Sequence, residues 1–230
     1  MDKRSAEYVN IQKYNLVLFE AGRSKVIEGI IHRYRPGGQA LDVGSGPGWF
    51  TKMLIENGWS VTAIDGEPAH EAQLKQWNAN VRIGDARDIV PNMEAGQFDL
   101  ILALEIVEHM EVASAKAFLQ NLGKLLSPAG VLLVSTPNRM SPLGLKDYYF
   151  RELLLRGERW TAWHPNHVHV YSTCELKRML KECGYAVERI TGYWYDFMSF
   201  LKVPFSSSAV FPFNHFGFNI VLECKLPQIP

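Results

Sequence analysis

The chain has 230 residues, of which 47% are hydrophobic, and its 24 basic and 24 acidic side chains leave no net charge. This balance excludes a global basic field that gathers nucleic acid, and the hydrophobic content suffices for one substantial core. No linker-like stretch divides the chain, so we expect one domain over residues 1–230. No apolar run approaches the length of a membrane span and the first residues do not resemble a signal peptide, so we expect a cytoplasmic protein with no transmembrane segment.

The predicted elements begin with a helical lead-in over residues 1–37, where apolar residues recur at mainly helical spacing until the sequence RPGG. Helices are also expected at 50–57, ending at Gly58, and at about 113–126, ending before Pro128 and Gly130. Strands and helices therefore alternate, which indicates a doubly wound α/β fold with parallel strands. The strand candidates are 39–44, 60–65, 81–86, 98–105, 130–138 and 185–190.

A short apolar run at residues 40–48, ALDVGSGPG, breaks into glycine at every second position. Glycine allows a positive φ and lets a ligand contact the main chain, and the helix that follows offers unpaired N–H groups. We therefore expect Gly44, Gly46 and Gly48 to form a nucleotide-binding turn, against the alternative of a plain turn. Asp65 stands at the tip of the next strand, where an acid either accepts both ribose hydroxyls or caps the following helix.

The residue after this turn separates two kinds of cofactor. A dinucleotide fingerprint needs a third small residue where the helix packs on the strand, and Trp49 stands there, which argues against NAD. The spacing instead resembles the GxGxG loop of class I S-adenosylmethionine (SAM) methyltransferases. This resemblance implies a Rossmann-like fold with a mostly parallel seven-stranded sheet, helices on both faces, and a SAM-binding core at residues 38–139.

The same resemblance assigns further residues to the cofactor. Asp42 lies inside the first strand, where an acid must be paired, and would order the loop and the methionine end of SAM. Asp85 and Ala86 follow the third strand and would meet the adenine edge, although turn chemistry explains them equally well. Gly66 and Leu104 complete the predicted cofactor-binding set.

The sequence LEIVEHM, at the end of the fourth strand candidate, carries Glu105, Glu108 and His109. On a turn that leaves a strand for a helix, positions i, i+3 and i+4 face one side, so these groups should converge near the methyl sulfonium. The segment resembles the ExxEH of the ubiquinone-biosynthesis O-methyltransferases and of the small-RNA 2′-O-methyltransferases. In the latter family these residues bind a divalent ion.

Residues 164–171, HPNHVHVY, hold three histidines within six positions. The small-RNA methyltransferases carry a similar NHxH followed by an aromatic residue, and the match falls on His167 and His169. With Glu105, Glu108 and His109 they would form a site for Mg²⁺, Mn²⁺ or Zn²⁺. Alternatively, His167 or His169 is a general base that takes the proton of a hydroxyl, or the histidines pack a lid. The resulting catalytic candidates are His167, His169, Glu105 and His109.

Two aromatic-rich stretches, 140–171 and 193–214, interrupt the alternation and are predicted substrate-binding insertions. Aromatic walls suit a flat or apolar acceptor, whereas each ring on its own could simply cover the sheet. A basic cluster in the first insertion would meet an anionic group or a membrane surface, or form a solvated helix face. The aromatic residues are Tyr148, Tyr149, Phe150, Trp160, Trp163, Tyr193, Trp194, Tyr195, Phe197, Phe200 and Phe205, and the basic ones Lys146, Arg151, Arg156 and Arg159.

The overall likeness, over roughly residues 38–190, is to the ubiquinone O-methyltransferase type, through LDVG, ExxEH and STPNR in order, with GSGPG in place of the commoner GCGxG. It implies a SAM-dependent methyltransferase that acts on a hydroxyl of a small aromatic or lipophilic acceptor, as a monomer or a homodimer. N- or C-methylation and ribose 2′-O-methylation stay open. From other classes, an NAD-dependent oxidoreductase and a non-catalytic SAM-binding partner are the alternatives.

Overall fold

The computed structural model describes residues 23–34, 36–147, 166–194, 206–208 and 213–227. Its first helix, α1, is described over 23–31. The later helices are α2 Trp49–Glu56, α3 Glu71–Gln76, α4 Ala86–Ile89, α5 Val112–Leu125, α6 Pro142–Asp147, α7 Thr173–Glu182 and α8 Phe213–Phe216. The strands are β1 Gln39–Val43, β2 Ser60–Asp65, β3 Asn80–Ile83, β4 Phe98–Leu104, β5 Leu126–Pro137, β6 Ala186–Trp194, β7 Ser206–Ser208 and β8 Asn219–Lys225.

The eight strands of the described residues form one sheet in the order β3-β2-β1-β4-β5-β8-β6-β7. The pairs from β3 to β5 are parallel, whereas β8 runs antiparallel to both β5 and β6. This confirms the mostly parallel Rossmann-like sheet, to which the short edge strand β7 adds an eighth member. The six strand candidates did not include β8, although its apolar run Ile220–Leu222 follows the usual composition of a buried strand.

Side chains that alternate along the strands contribute to two hydrophobic cores, one on each face of the sheet. Leu41 and Ile101 point to the face covered by α5 and α7, with Phe118 and Leu176 among their partners. Ala40, Leu100 and Leu102 point to the opposite face, where Ile27 and Ile30 of α1 and Leu54 of α2 pack. Helices therefore cover both faces, as predicted. No helix within the described ranges combines the length and apolarity needed to cross a membrane.

Strand β5 begins at Leu126, directly after α5, and not at residue 130 as predicted. Leu126 pairs with Phe98, and a register shift between Phe98 and Leu100 accommodates the sequence SPAG inside the strand. At Gly130 a Cβ would lie 2.7 Å from the carbonyl oxygen of Phe98, so only glycine permits this approach of the strands. The turn signals of SPAG were therefore misread as a loop where they mark a bulge.

The predicted insertions fall largely outside the described residues, namely at 148–165, 195–205 and 209–212. The aromatic and arginine side chains that the sequence places there stay predictions. Lys146 is exposed in the last turn of α6. Tyr193 is fully buried in the core beside α1 and α2, so it packs against the sheet and does not line a substrate pocket.

Candidate active site

The glycine turn lies between the carboxyl end of β1 and the start of α2, where open α/β sheets bind their ligands. Gly44, Gly46 and Gly48 all have positive φ, of 71°, 54° and 90°. The backbone N–H groups of Gly44 and Ser45 both donate to the carbonyl of Ile64, which fixes the turn against β2. The tight turn predicted from the sequence is therefore present.

The close-packed position of this turn is Gly48 and not the next residue. A Cβ on Gly48 would lie 2.7 Å from Leu74 Cδ2 and 3.4 Å from Trp77 Cδ1. Trp49, by contrast, is 61% exposed. The structure therefore does not support a tryptophan at the packing position as evidence against NAD.

Asp42 and Asp65, the two predicted cofactor acids, are both buried and both hydrogen-bonded. Asp42 accepts a bond from the hydroxyl of Thr51 in α2 at 2.7 Å, which ties the helix to β1. Burial raises the pKa of Asp42 to about 6. Asp65 accepts bonds from the backbone N–H groups of Gly46 and Glu67 and from His70. Gly66, which follows it, is exposed.

The predicted adenine-edge residues take part in turn chemistry. Asp85 caps α4 by accepting a bond from the N–H of Arg87 at 2.8 Å. It also forms an ion pair with the Arg87 side chain, and that hydrogen-bonded partner lowers the pKa of Asp85. Ala86 is buried in the core, and Leu104 is buried at the end of β4. Their contact with adenine stays a prediction.

Glu105 leaves β4 with φ of 54°, a conformation that is costly for a residue with a Cβ. Its carboxylate accepts hydrogen bonds from Ser135 Oγ and from Asn219 Nδ2, each at 2.6 Å. Its backbone N–H donates to the carbonyl oxygen of Ser135 at 3.0 Å. The neighbouring strands β5 and β8 thus hold Glu105 in this strained position.

Glu108, His109 and His167 form a cluster whose candidate ligand atoms all lie within 4.8 Å of one another. Glu108 is fully buried, and its carboxyl oxygens have no well-formed hydrogen bond among the described residues. The Thr136 hydroxyl lies close enough to stabilise the charged carboxylate in part. Burial, and then the charge of Glu105, raise the pKa of Glu108 well above its ordinary value. A buried carboxyl without a well-formed hydrogen bond is costly unless a ligand completes it, so the cluster fits a cation or a polar substrate group.

Residues 166–169 lie directly on the turn that carries Glu108. The N–H groups of Val168 and His169 donate to the backbone carbonyl of Glu108 at 2.8 and 3.1 Å. The Nδ1 atom of His109 lies 3.0 Å from the carbonyl oxygen of Asn166, an acceptor, which assigns the proton to Nδ1. The rings of His109 and His167 are 4.8 Å apart.

The structure therefore brings together three of the five residues that the sequence assigned to a metal. Glu105 lies outside this cluster, and its carboxylate is engaged by Ser135 and Asn219. His169 also lies outside it, with its ring 4.5 Å from that of Tyr171.

A cation that the sequence patterns did not single out, Arg23, lies close to both Asp42 and Glu108. Arg23 of α1 packs over the ring of Phe50 at 5.0 Å, and its charge partly offsets the burial that raises the pKa values of Asp42 and Glu108. The residue stands within the helical lead-in, where a single arginine carries no local signal of function.

Comparison with known proteins identifies the family. A sequence model of the methyltransferase domain matches residues 19–190. The chain belongs to the class I SAM-dependent methyltransferases. The ubiquinone biosynthesis O-methyltransferase of Rickettsia bellii is 28% identical over 165 residues, 69% of this methyltransferase and 65% of that protein. The enzyme of the same name from Azorhizobium caulinodans is 30% identical over 171 residues, 70% and 63% of the two chains. The match thus spans slightly less than two thirds of these relatives.

Solved structures show the same fold. A SAM-dependent methyltransferase from Thermotoga maritima, described as a possible histamine N-methyltransferase, aligns with a TM-score of 0.69 at 18% identity, over 96% of this methyltransferase and 97% of that chain. Another, from Archaeoglobus fulgidus, aligns with a TM-score of 0.64 at 17% identity, over 87% and 93%. Membership of this family removes the oxidoreductase alternative.

Proposed function

We propose that this methyltransferase transfers a methyl group from SAM to a hydroxyl of a small aromatic or lipophilic acceptor. The observation that carries the proposal is the buried carboxyl of Glu108 beside His109 and His167 at the carboxyl end of the sheet, which has no well-formed hydrogen bond among the described residues. The O-methyltransferase name of the Rickettsia and Azorhizobium relatives supports oxygen as the receiving atom.

In this proposal SAM lies across the carboxyl ends of β1, β2 and β4. Gly44, Gly46 and Gly48 allow the cofactor close to the backbone, and Asp65 accepts the ribose hydroxyls. Arg23, whose charge reaches both Asp42 and Glu108, binds the carboxylate of the methionine end. Asp42, Gly66, Asp85, Ala86 and Leu104 complete the pocket.

The chemistry is mainly positional because the sulfonium of SAM already activates the methyl group. A lone pair of the acceptor oxygen forms the new O–CH₃ bond while the S–CH₃ bond breaks. The electron pair of the broken bond stays on sulfur, which becomes a neutral thioether. The hydroxyl proton passes to an imidazole nitrogen, for which His167 is our candidate. His169 is the weaker candidate base because its ring packs against Tyr171.

The same cluster fits a divalent cation. One carboxyl and two imidazoles suit Mg²⁺, Mn²⁺ or Zn²⁺, and the bond from His109 Nδ1 to Asn166 orients that ring as a metal-bound histidine requires. A cation held by Glu108, His109 and His167 would lower the pKa of an acceptor hydroxyl.

Product mapping tests the reaction. The protein is incubated with methyl-labelled SAM and a panel of catechols, phenols, aromatic amines and nucleosides, and the labelled atom is located by NMR. We expect label on a phenolic or catechol oxygen. Label on nitrogen or carbon, or on a ribose, would overturn the proposed acceptor class.

Calorimetry distinguishes metal-assisted deprotonation of the acceptor hydroxyl from deprotonation by a metal-free histidine. Mn²⁺ is titrated into protein saturated with S-adenosylhomocysteine, beside the variant Glu108→Gln and the control Glu111→Gln, whose carboxylate is exposed. Binding that disappears only in Glu108→Gln supports metal assistance. No binding to the wild type leaves His167 as a metal-free base.

A further inference from the structure

The carboxylate of Asp65 is already satisfied within the chain. Its Oδ1 atom accepts hydrogen bonds from the N–H of Glu67 at 2.9 Å and from His70 Nδ1 at 2.8 Å. Its Oδ2 atom accepts one from the N–H of Gly46 at 2.7 Å. The side chain is only 10% exposed, so these contacts are formed in a largely dry environment.

This arrangement leaves too few acceptor positions for a ribose. Each carboxylate oxygen offers two lone pairs, so Oδ1 is filled and Oδ2 has one position left. Vicinal ribose hydroxyls that bind a carboxylate at both oxygens need one free position on each. A nucleoside can therefore engage Asp65 in this way only if one of its present partners leaves.

Two of the three partners are fixed by the backbone. The N–H of Gly46 belongs to the glycine turn, which Gly44 and Ser45 anchor to β2. The N–H of Glu67 begins the 3₁₀ turn Pro68–His70, which Glu67 itself caps through Ala69. His70, by contrast, donates from a side chain that is 31% exposed and can rotate away.

We propose that His70 sets the affinity of the cofactor site by competing with a ribose hydroxyl for Asp65 Oδ1, so that nucleoside cofactors with vicinal hydroxyls must displace it. The proposal rests on the assignment of Asp65 as the ribose acceptor. It makes an unusual prediction for a residue in a binding site, because removing His70 should improve binding.

The first test is the affinity of S-adenosylhomocysteine by calorimetry for the wild type and for His70→Ala. We expect the variant to bind roughly fivefold more tightly, since one competing hydrogen bond no longer has to be broken. The matched control is His32→Ala, which removes another histidine bonded to a side-chain oxygen, that of Asn57 at 2.9 Å. The control should bind as the wild type does. Unchanged or weaker binding by His70→Ala would overturn the proposal, and a folding defect cannot imitate a gain.

A second readout uses adenosine and 2′-deoxyadenosine as probes. In the wild type Asp65 has one open position, so loss of one hydroxyl should change the affinity little. In His70→Ala both oxygens are open, so the preference for adenosine should rise several-fold. An equal preference in the two proteins would contradict displacement of His70.

Asp65→Ala separates failure of this proposal from failure of the assignment beneath it. If that variant binds S-adenosylhomocysteine as well as the wild type, Asp65 is not the ribose acceptor. If it binds more weakly while His70→Ala shows no gain, only the role of His70 is wrong. In the Asp65→Ala background, adding His70→Ala should have no effect on affinity.

Discussion

The side-chain amide of Asn219 donates a 2.6 Å hydrogen bond to the carboxylate of Glu105, although 114 residues separate them in sequence. Asn219 opens β8 and Glu105 follows β4, and the strand between them, β5, adds a second bond from Ser135. The bonds hold Glu105 at a φ of 54°, so the sheet stabilises a strained residue beside the candidate active site.

The backbone strain at Glu105 predicts different stabilities for two small replacements. Glu105→Ala and Glu105→Gly lose the same carboxylate, but only glycine adopts positive φ without a penalty. We expect the glycine variant to be about 1 kcal/mol more stable towards urea than the alanine variant. A more stable alanine variant would show that the backbone at this position is unstrained.

The hydrogen bonds from Ser135 and Asn219 that hold Glu105 should affect turnover more than cofactor binding. Asn219→Ala removes one of the two donors, and we expect kcat to fall about tenfold while the affinity for S-adenosylhomocysteine stays unchanged. The control is Asn214→Ala, another buried amide, which bonds instead to the carbonyl of Ile190. Equal losses of kcat in both variants would indicate a general packing defect.

The glycine turn offers a test of close packing. Gly46 and Gly48 both have positive φ, but only at Gly48 would a Cβ collide, 2.7 Å from Leu74 Cδ2. Gly46→Ala should lose about 1 kcal/mol of unfolding free energy from backbone strain alone. Gly48→Ala should lose about 2–3 kcal/mol, because overpacking adds to the strain. Equal losses, measured by urea denaturation, would mean that Leu74 moves aside freely.

Asp42 predicts a pH dependence of stability. Its pKa rises from 3.8 to about 6 in the folded chain, mainly through burial, so folding favours the protonated form. Its stabilising contribution is complete below about pH 4, decreases as the pH rises, and is lost above about pH 6. Asp42→Asn keeps an acceptor for Thr51 but does not titrate. The free energy of unfolding of Asp42→Asn, minus that of the wild type, should rise by about 3 kcal/mol in full, from well below pH 4 to well above pH 6. If the free energies of unfolding of the two proteins changed in parallel with pH, the raised pKa of Asp42 would be contradicted.

The sequence was most informative where function depends on short-range patterns. The alternation of glycines at 44, 46 and 48 predicted the turn, and the spacing of Glu108 and His109 predicted that both reach one site. His167 joined them through a resemblance, since no local pattern pairs residues so far apart.

Contacts between distant strands could not be predicted in the same way. Asn219 meets Glu105 because β8 inserts between β5 and β6, a pairing that no spacing within the chain encodes. The start of β5 was misplaced because proline and glycine signal turns locally, whereas here the approach of Phe98 requires Gly130 inside a bulged strand. Arg23 likewise has no local signal, because the fold brings it to Phe50, Asp42 and Glu108.

Methyl transfer by Glu108→Gln tests the central claim most directly. Labelled SAM and an accepted phenol or catechol are followed under single-turnover conditions for the wild type, Glu108→Gln and the exposed control Glu111→Gln. The proposed function predicts wild-type rates for the control and a loss of at least about a hundredfold for Glu108→Gln, because the group that completes the acceptor site is gone. Equal rates in all three proteins would place the chemistry elsewhere and contradict the proposal.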